Sequence, residues 1–437
     1  MVLVLTIAPA PPAITDDAVQ PTAADSAMQR DVQQLLRDLD ADSRSKRQAA
    51  EKRLLELGPV VLPHFPPPEL LPNATVRDAV ARIRTDLERR QAQTSVQPTR
   101  LTLRGTNAKP LKEWLAELSR LSGNAIESDA VPESIQHDHL AVAVNNATFW
   151  ATVDKVAHLT GMQLQSDPLS RRLRFIKPDQ PQLRRELATD TNSAFRIAVM
   201  SVQSRDIAGQ PDRQLVRARL EVMPEPRLRP LFLQFDMQNC VAKAGDRELL
   251  PHNPDANYEL PLTEGTGQFP VTLDFVAPAK LPRDSLTVRG RFNITTAAGS
   301  ETIRFGDLDR IGGNRLGVAR RRGGVTVTLH KAGFTRVEAR GHEARIAVSV
   351  AYDTGGPAFE SHRQWMLHNE VFLETPEGKR VALNGGHETS RQGDGTLAVE
   401  YRFVDLPDPL PSYRFVYVAP TLILDVPVDF ELRGIKW

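Results

Sequence analysis

Apolar residues return at helical spacing from Met28 onward. Val32, Leu35, Leu36 and Leu39 make one stripe, the three-to-four-residue return of an amphipathic helix. Asp42 or Ser43 stands where a second helix needs its N-cap, and Ala49, Ala50, Arg53, Leu54 and Leu57 form the face that follows. Gly58 is placed to stop that helix in a left-handed conformation. Pro59 then opens a short apolar turn through Val60, Val61 and Leu62, ahead of the stiff Pro66-Pro67-Pro68. Asn73 or Thr75 caps a third helix with Val76, Ala79, Val80, Ile83 and Leu87 inside. The spacing predicts a helical segment over 28–95.

Within it, RQAAEKRLLELGPVVLPHF resembles one HEAT-type repeat. A single repeat buries its own face poorly, and about three are needed for a stable solenoid. The resemblance therefore implies packing on neighbouring structure.

The period changes after Pro98. Leu101 and Leu103 alternate as a strand, and Pro110 opens a helix with Leu111, Trp114, Leu115, Leu118 and Leu121 on one face, stopped by Gly123. Ala125 and Ile126 begin a short strand, and Leu140, Val142 and Val144 alternate as another. A second helix carries Phe149, Val153, Val156, Ala157 and Leu159 and stops at Gly161; Met162, Leu164, Leu173 and Phe175 make a closing hairpin. This strand–helix–strand–strand–helix–strand order is borne by PLKEWLAELSRLSGNAI and LAVAVNNATFWATVDKVAHLTGMQL. It resembles the short N-terminal module shared by secretins and TonB-dependent transducers, over residues 98–177. The resemblance implies a periplasmic protein-interaction module, with two helices on one face of a small sheet and Trp114 and Phe149 buried between. No secretin core or outer-membrane barrel follows in this sequence, so export or uptake is not implied.

From Phe195 to Trp437 the pattern alternates with period two. Val216, Ala218, Leu220 and Val222 interleave with Arg217, Arg219 and Glu221; Leu231, Leu233, Phe235 and Met237 behave alike. The second half repeats the order of the first. ARIAVSVAYD follows VRARLEVMPE, and VPVDFELRGI follows ETIRFGDL, at an offset of about 125 to 129 residues, too long for a solenoid period. About seven strands per copy suit two immunoglobulin-like sandwiches, over 193–311 and 325–437. Phe275 and Phe403, and Phe305 and Phe430, hold matched places. The Gly-rich stretch from Gly312 to Gly324 is expected to join two sandwiches that share no core sheet.

Composition narrows the classes. Charged residues are 25% of the 437, and Lys+Arg 55 against Asp+Glu 54 leave a net charge of +1, which argues against a globally basic nucleic-acid binder. The single cysteine, Cys240, forms no intrachain disulfide and excludes a multi-cysteine zinc site. No segment has the ~18 apolar residues of a membrane-spanning helix. Val2 to Ala8 is a short apolar run, and Ala8 and Ala10 fit a small-x-small cleavage pattern. We read residues 1–27 as a clipped signal segment or a disordered tail. The first places the protein in the periplasm or otherwise outside the cytosol; the second leaves it cytoplasmic.

Candidate chemistry is thin. Asp38, Asp40 and Asp42 open like a calcium loop, but Ser43 stands at the glycine position and Ala49 at the bidentate glutamate. His137, Asp138 and His139 cluster without a third ligand at known spacing. His342-Glu343 and His387-Glu388 are half zincin motifs lacking the second histidine. Cys240 has no adjacent base. No catalytic, cofactor-binding or metal residue is assigned, and no cofactor is expected. Arg320, Arg321 and Arg322, followed by Gly323-Gly324, are singled out as an anion or partner contact.

The expected architecture is α+β then mainly β: a helical N-terminal segment, a small βαββαβ module and two tandem β-sandwiches. The expected function is a non-enzymatic exported binding or scaffold protein of the bacterial cell envelope, partnered by another envelope protein and not by nucleic acid. The alternative is a hydrolase or carbohydrate-active enzyme with accessory sandwiches, whose carboxylate pair or triad would meet only in the fold.

Overall fold

A computed structural model of the protein describes residues 23–437 apart from 67–69, 106–107, 129–130, 132, 138, 168–171, 178–185, 262–266, 281–284, 312–316, 338–340, 353–365, 368, 394–395 and 410–411. The run from Val2 to Ala10, Pro67 and Pro68, Asp138 and residues 312–316 of the Gly-rich stretch thus lie outside the described residues. The chain divides into two units, the second beginning at Ala92.

The first unit is helical: α1 (Ala23–Leu39), α2 (Arg44–Leu57) and α3 (Ala74–Ser95) as far as Gln91, with a 3-10 turn over Pro59–His64. Both expected caps are made. Ser43 Oγ accepts from the Lys46 N–H at 3.5 Å and Asn73 Oδ1 from the Val76 N–H at 2.9 Å, each satisfying a donor that the first helical turn leaves open. Val32, Leu39, Leu54, Val61, Val80 and Ile83 are among its core residues. Two details differ from the spacing. Ala49 and Arg53 are exposed, because the buried stripe of α2 is narrow and holds Ala50 and Leu54. Gly58 ends α2 at φ +79° and ψ −169°, an extended positive-φ form open to glycine rather than a left-handed helical one.

In the second unit come β1 (Arg100–Arg104), β2 (Lys109–Pro110), α4 (Leu111–Ser122), β3 (Ile126–Glu127), α5 (Glu133–Gln136), β4 (His139–Leu140), β5 (Ala143–Thr148), α6 (Phe149–Thr160), β6 (Gln163–Asp167) and β7 (Arg172–Ile176). Gly123 and Gly161 end α4 and α6 in the left-handed conformation. Trp114 and Phe149 are buried, with Trp150 beside Phe149 at 5.1 Å between ring centroids. Among the described residues the single small sheet does not form. The strands split into β1–β5, β2–β4 and β3–β7–β6, because β2, β3 and β4 have two residues each and are too short to carry a ladder across.

The remainder is β structure in layers. First come β8 (Ala188–Asp190), β9 (Phe195–Ile207), β10 (Gln210–Pro224), β11 (Arg229–Asp236), β12 (Val241–Ala244), β13 (Arg247–Pro251), β14 (Asn257–Pro261), β15 (Phe269–Pro278) and β16 (Leu286–Phe305). They are followed by β17 (Val318–Arg322), β18 (Val325–Val337), β19 (Gly341–Tyr352), β20 (Val371–Glu374), β21 (Arg380–Ala382), β22 (His387–Gly393), β23 (Thr396–Leu406) and β24 (Arg414–Ile435). The layer β8-β9-β10-β15-β13 in one copy has its counterpart in β17-β18-β19-β23-β22 of the other. The registers agree as well: Val216 faces Phe275, and Ala344 faces Phe403.

The opposite layers, expected to be separate, are one. β16 and β24 pair antiparallel along almost their whole lengths, from Val288 against Leu432 to Phe305 against Phe415. Neither strand turns back on itself midway, where a hairpin within each copy would have to lie. The N-terminal half of β16 and the C-terminal half of β24 therefore line the first core, through Val288, Phe292, Val428 and Phe430. The other two halves line the second core, through Ile303, Phe305, Phe415 and Tyr417. Each sandwich takes its last strand from the other copy. At the crossing Leu422 has φ +52°, and a side chain on Gly299 would lie 2.9 Å from Thr421 Oγ1.

Candidate functional site

The three arginines lie on a strand, not in a linker. Arg322 pairs with Val325, so Gly323-Gly324 is a two-residue hairpin loop. Its φ values of +55° and +76° are the positive pair that a type I′ turn demands. The turn packs on the β16–β24 crossing: a side chain on Gly323 would lie 2.8 Å from Thr421 Cγ2 and 3.2 Å from Glu301 Cγ. β17 is the end strand of its sheet, and Arg320, Arg321 and Arg322 are all exposed.

Facing residues in an antiparallel pair share one side of the sheet. Arg320 faces Val327 and Arg322 faces Val325, and both valines are core residues. Arg320 and Arg322 thus stand on the core side, at the rim where the two layers of the second sandwich part. The Arg320 guanidinium carbon lies 5.4 Å from the centre of the Phe305 ring across that rim, a cation–π distance. A guanidinium there presents planar, paired donors suited to a carboxylate or another oxyanion.

The remaining sequence candidates do not assemble into a centre. His137 and His139 are exposed. Asp38 pairs with Lys46 at 3.1 Å and Asp40 accepts from Asn73 at 2.6 Å. Cys240 is buried, and burial pushes its thiol up to about 12, the environment of an inert thiol. His342 stacks on Phe334 at 4.5 Å. Its neighbour Glu343 accepts from Arg402 at 2.7 Å and Arg345 at 2.9 Å. Among the described residues no three His, Cys, Asp or Glu side chains are placed to hold one metal ion. A shallow groove of about 360 Å³ lies along α3 beside Ala81, Arg82, Thr85, Asp86 and Arg89. Two of its charged groups are engaged, Asp86 by Arg90 at 2.7 Å and Arg82 by Glu51 at 4.0 Å.

Two buried ionic junctions escaped the sequence. Glu225, fully buried, accepts from the Thr99 N–H at 2.9 Å, the Thr99 hydroxyl at 2.7 Å, Asn124 at 3.0 Å and Arg227 Nε at 2.7 Å. Arg227 also donates to the Ser95 carbonyl. Near by, the buried Arg196 of β9 donates to Asp154 of α6 at 2.8 Å and to Glu186 at 2.9 Å. Burial opposes the Arg196 charge, but the Glu186 hydrogen bond and the two carboxylates outweigh it and its pKa is raised. Burial raises the Asp154 carboxyl against the pull of Arg196. With Trp150 Nε1 donating to the Ala194 carbonyl at 3.2 Å, these contacts fasten residues 99–160 onto the first sandwich. Their members sit up to 132 residues apart, and no local spacing marks them.

No protein-family model matches this chain, and no curated protein matches it. Among the described residues, no helix is long and apolar enough to cross a membrane.

Proposed function

We propose that the protein is a non-enzymatic binding or scaffold protein of the bacterial cell envelope, exported to the periplasm and acting through protein–protein contact. One observation carries this reading. Shared strands and buried ion pairs join residues 92–437 into a single unit, while Arg320, Arg321 and Arg322 lie exposed on its surface. A body of that kind holds surfaces in fixed relation, which lowers the ordering cost of binding. The envelope location draws on the resemblance of residues 98–177 and on the run from Val2 to Ala10.

The test is an affinity pull-down with the full chain from intact envelope, with the partner identified by mass spectrometry and its cross-links mapped. A partner retained in fixed ratio, cross-linked within 92–437, is the expected result. Recovery of the protein from the cytosol with Met1 intact removes the envelope assignment. Turnover of a glycoside or ester substrate removes the non-enzymatic one.

A further inference from the structure

From the rim geometry, and resting on the protein-binding reading above, we infer that the open edge of the second sandwich, between β17 and the C-terminal half of β16, docks an acidic protein segment in extended form.

The duplication shows what the equivalent place holds in the first sandwich. Ile197 faces Val222 and Val327 faces Val350, and the two copies align Val222 with Val350. Asp190 faces Ile197, as Arg320 faces Val327. Asp190 and Arg320 therefore hold one position in the two copies. In the first sandwich that position is a carboxylate: Asp190 is buried, and its Oδ2 accepts the Glu431 N–H of β24 at 2.8 Å. The first rim is closed by the chain's own acid. In the second the position is a cation, over Phe305 of the strand opposite. Among the described residues neither Arg320 nor Arg322 forms an ion pair, although ion pairs hold many other arginines of the chain. The acid placed at this rim, Glu301 beside the Gly323 turn, pairs with neither.

The spacing selects the ligand. Alternate residues on a strand lie about 6–7 Å apart, so carboxylates at alternate positions of an extended chain meet Arg320 and Arg322 together. The end strand of a sheet is also where an extended segment can lie alongside. A nucleic acid would call for exposed stacking rings and a wider basic field, whereas Phe305 is buried and the chain carries +1 overall.

Fluorescence anisotropy tests this on the full chain. The probes are a labelled nine-residue peptide with Glu at alternate positions between Thr and Val, and the same peptide with Gln for Glu. The expected result is saturable binding of the Glu peptide, about tenfold weaker for the Gln peptide and for R320Q/R322Q, and weakened by salt as exposed charge contacts are. Circular dichroism checks that R320Q/R322Q remains folded, as the exposed positions lead one to expect. Absence of binding, equal affinity for the two peptides, wild-type affinity in the double variant, or displacement by an oligonucleotide at lower concentration than by the Glu peptide would each overturn it. If R320Q/R322Q still captures the envelope partner in the pull-down, the rim assignment falls and the scaffold reading stands.

Discussion

Phe305 and Phe430 occupy matched places in the two sequence copies, yet each lies in the other copy's core: Phe305 packs in the second sandwich and Phe430 in the first. Both belong to strands that run through the two cores in turn. Neither sandwich is complete without the other copy's last strand, so the pair should unfold as one. Phe305→Ala and Phe430→Ala should each cost about 3–5 kcal/mol, and both should shift the same transition. Hydrogen exchange read by mass spectrometry checks this. Amides of β9–β15 and of β18–β23 should lose protection together in either variant; independent loss would show that the exchange does not couple the cores.

Gly290 is closely packed in the first core's shared layer. A methyl there would sit 2.9 Å from Phe430 Cζ and 3.0 Å from Cys240 Sγ, and both neighbours are buried. Overpacking a filled core costs about 1–3 kcal/mol. Gly290→Ala should lower the denaturation midpoint by that much. Cys240→Ala in the same background should return part of the loss, because it removes one of the two clashing side chains. A double-mutant cycle measures the coupling.

Glu225 is the hub between residues 99–160 and the first sandwich, and Arg227 is its charged partner at 2.7 Å. Removing one member of a buried pair leaves the other uncompensated and costs about 3–5 kcal/mol. Glu225→Ala should show that loss in chemical denaturation, together with faster proteolytic cleavage within 99–190 than in the wild type. Wild-type resistance to cleavage would mean that Trp150 and the Arg196 cluster suffice to hold the segment.

Much of this architecture was legible along the chain. Alternation identified β10 and β11, and the repeated order placed Phe275 and Phe403 at equal stations in β15 and β23, where both are buried. Asn73, Ser43, Gly123 and Gly161 act at helix ends because capping is local chemistry. What alternation does not encode is the neighbour a strand chooses. The residues of β16 from Glu301 to Phe305 would suit either copy, and only the absence of a turn before them commits them to the second. The Asp190–Arg320 equivalence was hidden for a related reason. Those residues fall outside the matched strand patterns, and their correspondence follows from the register of β8 on β9 and of β17 on β18.

The half zincin motif His342-Glu343 bears instead on acid stability. Hydrogen bonds from Arg402, first, and then from Arg345 hold the Glu343 carboxyl below its ordinary value of 4.5. The folded chain therefore binds this proton less tightly than the unfolded one. Its contribution is fully present above pH about 4.5 and is lost as the pH falls through the lowered folded value. Carboxyl carbon NMR should find Glu343 titrating below an ordinary glutamate, and Glu343→Gln should flatten the stability profile in that window by lowering stability at neutral pH while leaving the acid end nearly unchanged. Because the contact lies on an exposed sheet face beside Arg345 and Arg402, salt near 1 M, where the screening length is about 3 Å, should move the wild-type titration back toward the ordinary value. A midpoint at or above 4.5 in low salt would mean that the two arginines point elsewhere in solution.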